Sequence, residues 1–419
     1  MKKLYFNLLP LLVLAPFFLD GSAYYTYVGN YTSDTVNVLD DTNTVINTIQ
    51  TLSPQYISFS PDGLYAYVSN YYTSTISVIS TETNKIIDTA VLPTNSLPTG
   101  SASTPDGLHL YVANYNLNSV HVIETTHFTV VHTIDLSPNT NPLGVTMSKN
   151  GDYVYVINLG TSIVSVINTT THTVETTINL SPNQRSYLSA LTPDGNFLYV
   201  TNDFSNTVSV IDTALNQPTD TITLTQGIDP AGIVLSPDGK FAYVTKSSSN
   251  YVEIIDTNTN ELMPQFFTLP LNSFPQEISI SPDGKRLFVS CYGINQVAVI
   301  EIETSNISYI EVGSEPLPIA TTSFPKLEPP TNFKGESLKN NFSLASEFFN
   351  QLTWSPPSKE GFTSYLLYRN DSLIANLPIN SSSYQDHNRP LHESDLYTLI
   401  ATSPTGSRST PLTLVVKTP

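Results

Sequence analysis

The chain has 419 residues, only 12% of them charged, and its formal net charge is −18. Such an acidic chain lacks the clustered Lys and Arg that nucleic acid or an anionic lipid surface requires, which excludes both as partners. Its 24 Tyr and 18 Phe favour strands over helices, and its 30 Pro and 18 Gly supply turns between short strands. The composition predicts an all-β protein.

Residues 1–23 are typical of a secretory signal peptide. Lys2 and Lys3 form a charged start, 4–19 form an apolar stretch, and 21–23 are small residues before a cleavage site. The apolar stretch is short for a membrane span, which makes a retained anchor the weaker alternative. We expect an exported protein (periplasmic, secreted or at the cell surface) that begins near Tyr24 and keeps no integral membrane span.

Seven copies of a Tyr-Val-x-Asn tetrad follow, five close and two degenerate. They start at Tyr27, Tyr67, Tyr111, Tyr155, Tyr199, Tyr243 and Phe288. Successive starts lie 40, 44, 44, 44, 44 and 45 residues apart, which is the length of a four-stranded propeller blade. The count predicts a seven-bladed β-propeller over residues 24–324.

Each repeat carries further strand and turn signals. Apolar residues such as Val208 and Val210 follow nine and eleven positions after the tetrad start, on one face of a strand. A later Pro opens another strand, which ends in a turn such as the Ser-Pro-Asp-Gly of 236–239. We name the strands of a blade a to d, with the Pro strand as a and the tetrad strand as b.

The first repeat lacks a strand a, and a matching segment appears after the seventh. Residues 316–322 begin with the Pro that opens this strand in other blades. We expect 316–322 to complete blade one and close the ring, since closure removes exposed strand edges.

The tetrad and the Ser-Pro-Asp-Gly turn resemble the YVTN β-propeller repeat family over residues 24–324. The resemblance implies a rigid propeller of the kind found in exported and surface-layer proteins. Because one fold hosts several roles, it leaves the function open.

The composition changes after the repeats. Pro325, Pro329 and Pro330 indicate a stiff linker over 325–330. Residues 331–419 combine short alternating strands with one Trp, at 354, and a Tyr-x-x-x-Ala pattern that starts at Tyr397. These patterns resemble fibronectin type III modules and predict an immunoglobulin-like β-sandwich, which usually serves as a spacer or adhesion surface.

The strand order predicts which loops surround the central channel. The d–a and b–c loops share one face, called here the mouth face, and the Pro-Asp-Gly turns share the other. No histidine is predicted on the mouth face, and no haem, nucleophile-elbow or phosphate-loop motif occurs in the sequence. The sequence therefore predicts no catalytic residue and no metal ligand.

The fourth tetrad position is Asn in five blades and Cys291 in the seventh. Its recurrence favours a structural role at the end of strand b, with bonds to the following loop. We expect Cys291 to be a buried structural thiol, because a free cysteine is usually buried.

Nine side chains on the mouth face are candidates for binding a ligand. They are the cations Arg185 and Lys246, the acids Asp203, Asp229 and Glu277, and the tyrosines Tyr31, Tyr71, Tyr115 and Tyr292. Aromatic rings beside polar groups suit protein and glycan surfaces, and ordinary loop packing is the alternative. No cofactor is predicted, although scattered carboxylates leave Ca²⁺ open.

These observations predict a non-catalytic, exported binding or surface-interaction protein with a protein or glycan partner. One alternative is a propeller enzyme, a lactonase-like hydrolase or a lyase acting at the channel mouth. A second alternative is a structural surface-layer component. An enzyme would need His or carboxylate side chains that converge at the mouth, whereas a layer protein should self-assemble.

Overall fold

The computed structural model describes residues 24–181, 184–323, 330–341, 346–357, 364–370, 372–387, 390, 394–402, 409 and 412–417. The predicted signal peptide, and the predicted linker except Pro330, lie outside the described residues. In the described ranges, no helix is long and apolar enough to cross a membrane.

The repeats form strands separated by short turns. In chain order they are β1 Tyr24–Asn30, β2 Thr35–Leu39, β3 Val45–Gln50, β4 Pro54–Phe59, β5 Tyr65–Asn70, β6 Thr75–Ser80, β7 Lys85–Val91, β8 Pro98–Ser103, β9 His109–Asn114, β10 Ser119–Glu124, β11 Thr129–Asp135, β12 Pro142–Met147, β13 Tyr153–Asn158, β14 Ile163–Asn168, β15 Thr173–Asn179, β16 Ser186–Leu191, β17 Phe197–Asn202, β18 Thr207–Asp212, β19 Gln217–Thr223, β20 Pro230–Leu235, β21 Phe241–Lys246, β22 Tyr251–Asp256, β23 Glu261–Thr268, β24 Pro275–Ile280, β25 Arg286–Cys291, β26 Gln296–Glu301, β27 Asn306–Glu311 and β28 Pro316–Ser323. A short 3₁₀ helix, Tyr292–Ile294, follows β25.

These strands form seven antiparallel sheets of four. Six sheets use consecutive strands, from β4–β7 to β24–β27, and the remaining sheet has the order β28-β1-β2-β3. In that sheet Tyr27 lies opposite Ala320, and Tyr24 lies opposite Ser323. The last strand of the repeats therefore completes the first sheet.

The a strands, called here the inner strands, form a closed ring. Each contacts its neighbour in the order β4, β8, β12, β16, β20, β24 and β28, and β28 contacts β4 again. The d strands are largely exposed, as in β7 and β19. The sheets thus radiate from a central channel, and the predicted propeller arrangement of four-stranded sheets is confirmed.

The hydrophobic core lies between neighbouring blades. Val208 and Val210 of one blade, for example, pack in one cluster with Ile233 and Val244 of the next. The tetrad Tyr side chains are also buried in these layers. Each blade therefore gains its core from its neighbour, as expected when a repeat cannot bury its apolar face alone.

The inner strands share an irregular start. Each shows a register shift against its b strand within the first few residues. The residue before each inner strand has a positive φ, between 44° and 58°; these residues are Ser53, Leu97, Asn141, Arg185, Asp229, Phe274 and Glu315. A bulge of this kind bends a strand and redirects the side chains next to it.

The C-terminal region forms two sheets. Strands β29 Thr331–Asn341, β30 Ser346–Ser355 and β33 Ser383–Asp386 make one, and β31 Ser364–Arg369, β32 Ser372–Pro378, β34 Ser394–Thr402 and β35 Leu412–Lys417 make the other. Side chains from both sheets, including Trp354 and Tyr397, share one buried cluster. The fibronectin type III-like assignment stays a prediction.

Candidate functional site

The third residue of an inner strand lines the central channel in five of the seven blades. This residue is glycine in three blades, at Gly100, Gly144 and Gly232. A Cβ at Gly100 would lie 2.4 Å from the backbone oxygen of Leu143, so glycine there lets neighbouring inner strands approach each other. The corresponding residues in three other blades carry large side chains, Tyr56, Leu188 and Glu277.

Tyr56, Leu188 and Glu277 lie between two cavities of unequal size, and line both. The cavity nearer the mouth face has a volume of about 10 Å³, enough for about one water molecule. The other, called here the channel cavity, lies nearer the Pro-Asp-Gly turns and has a volume of about 160 Å³. Its polar lining also includes Ser189, Ser279 and Thr321.

Backbone contacts fix the position of Glu277 in β24. The register shift between Pro275 and Ile278 releases Glu277 from regular pairing with β25. The Glu277 amide donates to Ser290 Oγ (3.0 Å), and this hydroxyl also lies 2.9 Å from the Leu317 carbonyl oxygen. Ser290 thereby links β24 to β28 directly behind the carboxyl group.

The Glu277 side chain is half-buried and lines both cavities. The backbone amide of Ile319, in β28, donates to Glu277 Oε2 (3.1 Å). Desolvation raises the pKa of Glu277 to about 8, and this hydrogen bond opposes the rise only in part. A carboxyl group with a pKa near neutrality can accept and return a proton, as acid–base catalysis requires.

Two tyrosines flank this carboxyl group. Burial, with a smaller contribution from the Glu277 charge, raises the pKa of Tyr56 above its usual range and that of Tyr187 to about 12. Tyr56 lines both cavities, and Tyr187 lines the one nearer the mouth face. Both phenols therefore stay protonated near neutral pH and can donate hydrogen bonds.

Arg185 lies on the mouth face, where its guanidinium is engaged by an acid. Its Nε is 2.8 Å from both carboxylate oxygens of Asp203, and its terminal nitrogen also contacts Asp203. The guanidinium lies over the Phe204 ring, 4.7 Å from its centre. The two predicted ligand-binding residues thus bind each other, which favours a structural pair over an open anion site.

The prediction that Lys246 is available on the mouth face is wrong. Its side chain is fully buried, with Nζ 3.9 Å from Glu253 Oε2 and in contact with Asn206 Oδ1. Burial lowers the pKa of Lys246 to about 8. The ammonium group lies in an ion pair with the buried Glu253 carboxylate, inside the blade and away from the surface.

The remaining predicted residues are spread around the mouth face. Tyr31 and Tyr71 both pack against the exposed Tyr72, with ring centres 6.1 Å and 5.1 Å away. Asp229 accepts a hydrogen bond from Ser248. Tyr115 and Tyr292 are half-buried in other blades. Glu277, which was predicted to lie beside these residues, instead lies inside the channel.

The fourth tetrad position is structural. Asn202 Nδ2 donates to Thr207 Oγ1 (3.2 Å) and Ser209 Oγ (2.9 Å), closing strand b on strand c. Cys291, at this position in blade seven, is fully buried, and burial raises its pKa to about 12.

In the part of the chain that the structure describes, no three His, Cys, Asp or Glu side chains are grouped so as to hold a metal ion.

Comparison with known families identifies the propeller. The family described as "Lactonase, 7-bladed beta-propeller" matches residues 25–315. The chain belongs to this lactonase family. No curated protein matches this lactonase-family chain.

Solved structures share the fold at low identity. The periplasmic gluconolactonase of Pseudomonas aeruginosa is 20% identical with a TM-score of 0.60, over 72% of this chain and 99% of its own. A Bacteroides fragilis protein provisionally named 6-phosphogluconolactonase is 19% identical with a TM-score of 0.61, and the match covers 72% of this chain and 99% of that protein. Virginiamycin B lyase from Staphylococcus aureus is 19% identical with a TM-score of 0.56, and the match covers 63% of this chain and 87% of the lyase.

These findings correct two predictions. Membership of the lactonase family contradicts the prediction of a non-catalytic binding protein, and with it the prediction that the chain is not an enzyme. The propeller hydrolase that was given as an alternative fits the family and its neighbours better. The prediction rested on the lack of a histidine or a known catalytic motif on the mouth face, whereas Glu277 lies on an inner strand, inside the channel.

The sequence carried a signal for the channel residues. Among the residues of the seven inner strands, Glu277 is the only one with a charged side chain. Aligning the inner strands on their first residue places Glu277 and Tyr56 where three blades have glycine. Such an alignment would have assigned both to the channel, although it gives no distances.

Proposed function

We propose that this lactonase-family propeller is a hydrolase that opens a lactone ring in the channel cavity, with Glu277 as its general base. The observation that carries the proposal is the single charged side chain of the inner strands, which lines this cavity and has a pKa raised to about 8. Family membership supports the reaction class.

The reaction follows from the chemistry of these groups. The Glu277 carboxylate takes a proton from a water molecule as that water attacks the lactone carbonyl carbon. When the ring C–O bond breaks, the protonated Glu277 returns the proton to the leaving alkoxide oxygen. One water is consumed, and the product is an open-chain hydroxy acid.

Tyr56 is placed to stabilise the charge that develops during attack. Its phenol remains protonated because its pKa is raised, so it can donate a hydrogen bond to the carbonyl oxygen as that oxygen becomes negative. Glu277 and Tyr56 thus supply the two functions that ester hydrolysis needs.

Lactone hydrolysis by the Glu277→Gln variant tests the assignment. Gln cannot accept the proton, so we expect kcat to fall by about 10²–10⁴-fold, the usual contribution of a general base. For the unmodified protein, kcat/KM should rise about tenfold per pH unit and level off near pH 8, where Glu277 becomes ionised. A pH-stat assay with neutral and phosphorylated sugar lactones measures both effects.

The matched control is Glu303→Gln, at an exposed carboxyl in the turn between β26 and β27. It should retain the rate of the unmodified protein. Absence of hydrolysis for every lactone, neutral or phosphorylated, would refute the proposed function. Full activity of Glu277→Gln would refute the role of this residue.

Three finer assignments are also part of the proposal. We propose that the repeats are of the YVTN type, that residues 331–419 form a fibronectin type III-like module, and that the protein is exported. The buried Trp354 and the hydrogen bond from Tyr397 Oη to Asp386 support the module. N-terminal sequencing of the exported protein should give a start near Tyr24, and an intact Met1 would contradict cleavage.

A further inference from the structure

The charges on the inner strands bear on which lactone the channel accepts. Glu277 is their only charged residue, and it lies at the boundary of both cavities. The polar groups around it in the channel cavity are neutral hydroxyls, from Tyr56, Ser189, Ser279 and Thr321. Hydroxyls bind the hydroxyl and carbonyl groups of an uncharged substrate but do not neutralise a phosphate.

The two cations of the predicted binding site do not supply the missing positive charge. Arg185 is bound through several contacts to Asp203, and its pKa is raised chiefly by hydrogen bonds to that carboxylate. Lys246 is fully buried against Glu253. To bind a phosphate, either cation would have to break its ion pair, and the acidic partner would then lose its counter-charge.

The size of the channel cavity limits the substrate as well. At about 160 Å³ it is close to the roughly 150 Å³ of a cavity that admits one benzene ring. Tyr56 and Leu188 narrow the channel on the mouth side, where the adjoining space is only about 10 Å³. A single small ring fits this space, and a bulky cyclic ester does not.

From these observations, and resting on the proposed hydrolase function, we propose that the substrates are small, uncharged, single-ring lactones and that phosphorylated lactones are rejected. Catalysis requires the ionised form of Glu277, and a phosphate, which carries a charge of roughly −1.5 to −2 at neutral pH, would repel that form and oppose its ionisation. The reaction itself turns a neutral substrate into a carboxylate anion. Repulsion between this anion and Glu277 then favours product release.

A pairwise comparison of lactones tests the proposal. We expect kcat/KM for glucono-δ-lactone to exceed that for its 6-phosphorylated form by about 100-fold, the scale on which an unneutralised like charge discriminates. Rates must be corrected for spontaneous hydrolysis of each lactone. Added salt should leave kcat/KM for the neutral lactone nearly unchanged and should raise the low value for the phosphorylated one, because salt screens the repulsion.

A charge-introducing variant provides a second test. Gln55 lines the smaller cavity beside Tyr56 and Glu277, so Gln55→Lys places a cation near the site. This variant should narrow the preference for the neutral lactone, chiefly by lowering KM for the phosphorylated one. If this variant fails to fold, the effect of salt on kcat/KM of the unmodified protein for the phosphorylated lactone still tests the proposal.

The outcomes separate this inference from the proposed function. A preference for the phosphorylated lactone, or a rate for it that falls with salt, would overturn the inference and leave the hydrolase intact. Hydrolysis of neither lactone would refute the function itself. Efficient hydrolysis of a large macrocyclic lactone would overturn the size limit alone.

Discussion

Lys246 takes a position that five other blades give to Asn. In four of those blades the Asn side chain donates to a strand-c side chain seven residues later, as Asn202 does to Ser209, whereas Asn114 bonds Ser119 instead. The corresponding pair in blade six is Lys246 and Glu253. Glu253 Oε1 also accepts hydrogen bonds from the backbone amides of Thr225 and Gln226, so the carboxylate holds the d–a loop.

Removing only one charge of this pair should destabilise the protein strongly. Lys246→Ala leaves the Glu253 carboxylate buried without its cation, and we expect a loss of about 3–5 kcal/mol in the free energy of unfolding. The double variant Lys246→Asn/Glu253→Ser restores the pair found in blade five and should recover most of that loss. Urea denaturation measures both, and a double variant less stable than Lys246→Ala would contradict the account.

Three histidines meet between blades three and four. The His132 and His172 rings stack with centres 4.1 Å apart, and His109 lies edge-on to His172 at 5.6 Å. His172 Nδ1 is 2.8 Å from the Tyr111 hydroxyl, and Asp106 is the acid close to His109. Desolvation, followed by the charges of His132 and His109, lowers the pKa of His172.

Acid should therefore weaken this contact. The unfolded chain binds a proton at His172 near pH 6.5, whereas the folded protein binds it only at lower pH, so the free energy of unfolding falls as the pH drops below about 6.5. His172→Asn should reduce this loss, measured by urea denaturation at about pH 7.5 and pH 5. An unchanged pH dependence would contradict the assignment.

The chain itself supplies the controls for this experiment. Asn260 occupies the same turn position in blade six, has a positive φ, and accepts a hydrogen bond from Tyr199, so Asn should fit at 172. His127→Asn, at an exposed turn residue that contacts Glu124, should leave the pH dependence almost unchanged.

At the scale of elements, β28 connects ring closure to the candidate active site. It pairs with β1, and its Ile319 amide donates to Glu277 Oε2. Truncation after Val312 removes β28, so it should expose the edge of β1, lower the unfolding temperature markedly and abolish lactone hydrolysis. Truncation after Pro325 keeps β28 and should preserve the unfolding temperature and the hydrolysis rate, as measured by thermal unfolding and the pH-stat assay. Equal damage from the two truncations would contradict this role for β28.

The repeat pattern was sufficient to predict the arrangement of four-stranded sheets, because tetrad spacing and turn residues are local signals. Aligning the blades also places Glu277 at the third position of an inner strand, but it does not reveal the bulge that releases this residue from pairing or its hydrogen bond from Ile319. The depth of Lys246 depends on its partner Glu253 in the next strand. Its seven-residue offset matches that of Asn202 and Ser209, so this pairing could have been found by comparing blades.

At the scale of the whole molecule, stability depends on closing the ring. The chain has one cysteine, Cys291, so no intramolecular disulfide can hold the blades together. The hydrophobic clusters between blades instead make every blade dependent on its two neighbours. One of these clusters joins the two ends of the repeats, because Tyr24 and Ile319 of blade one pack with Phe288 of blade seven.

This arrangement also determines the order in which the blades are completed as the chain is synthesised. Strand β1 is synthesised almost 300 residues before β28, the partner that completes its sheet. At roughly 5–20 residues per second, β1 waits about 15–60 s with one edge unpaired. Blades two to seven have all four of their strands before β28 emerges, so β28 is the last strand to join the ring and the first blade synthesised is the last to be completed.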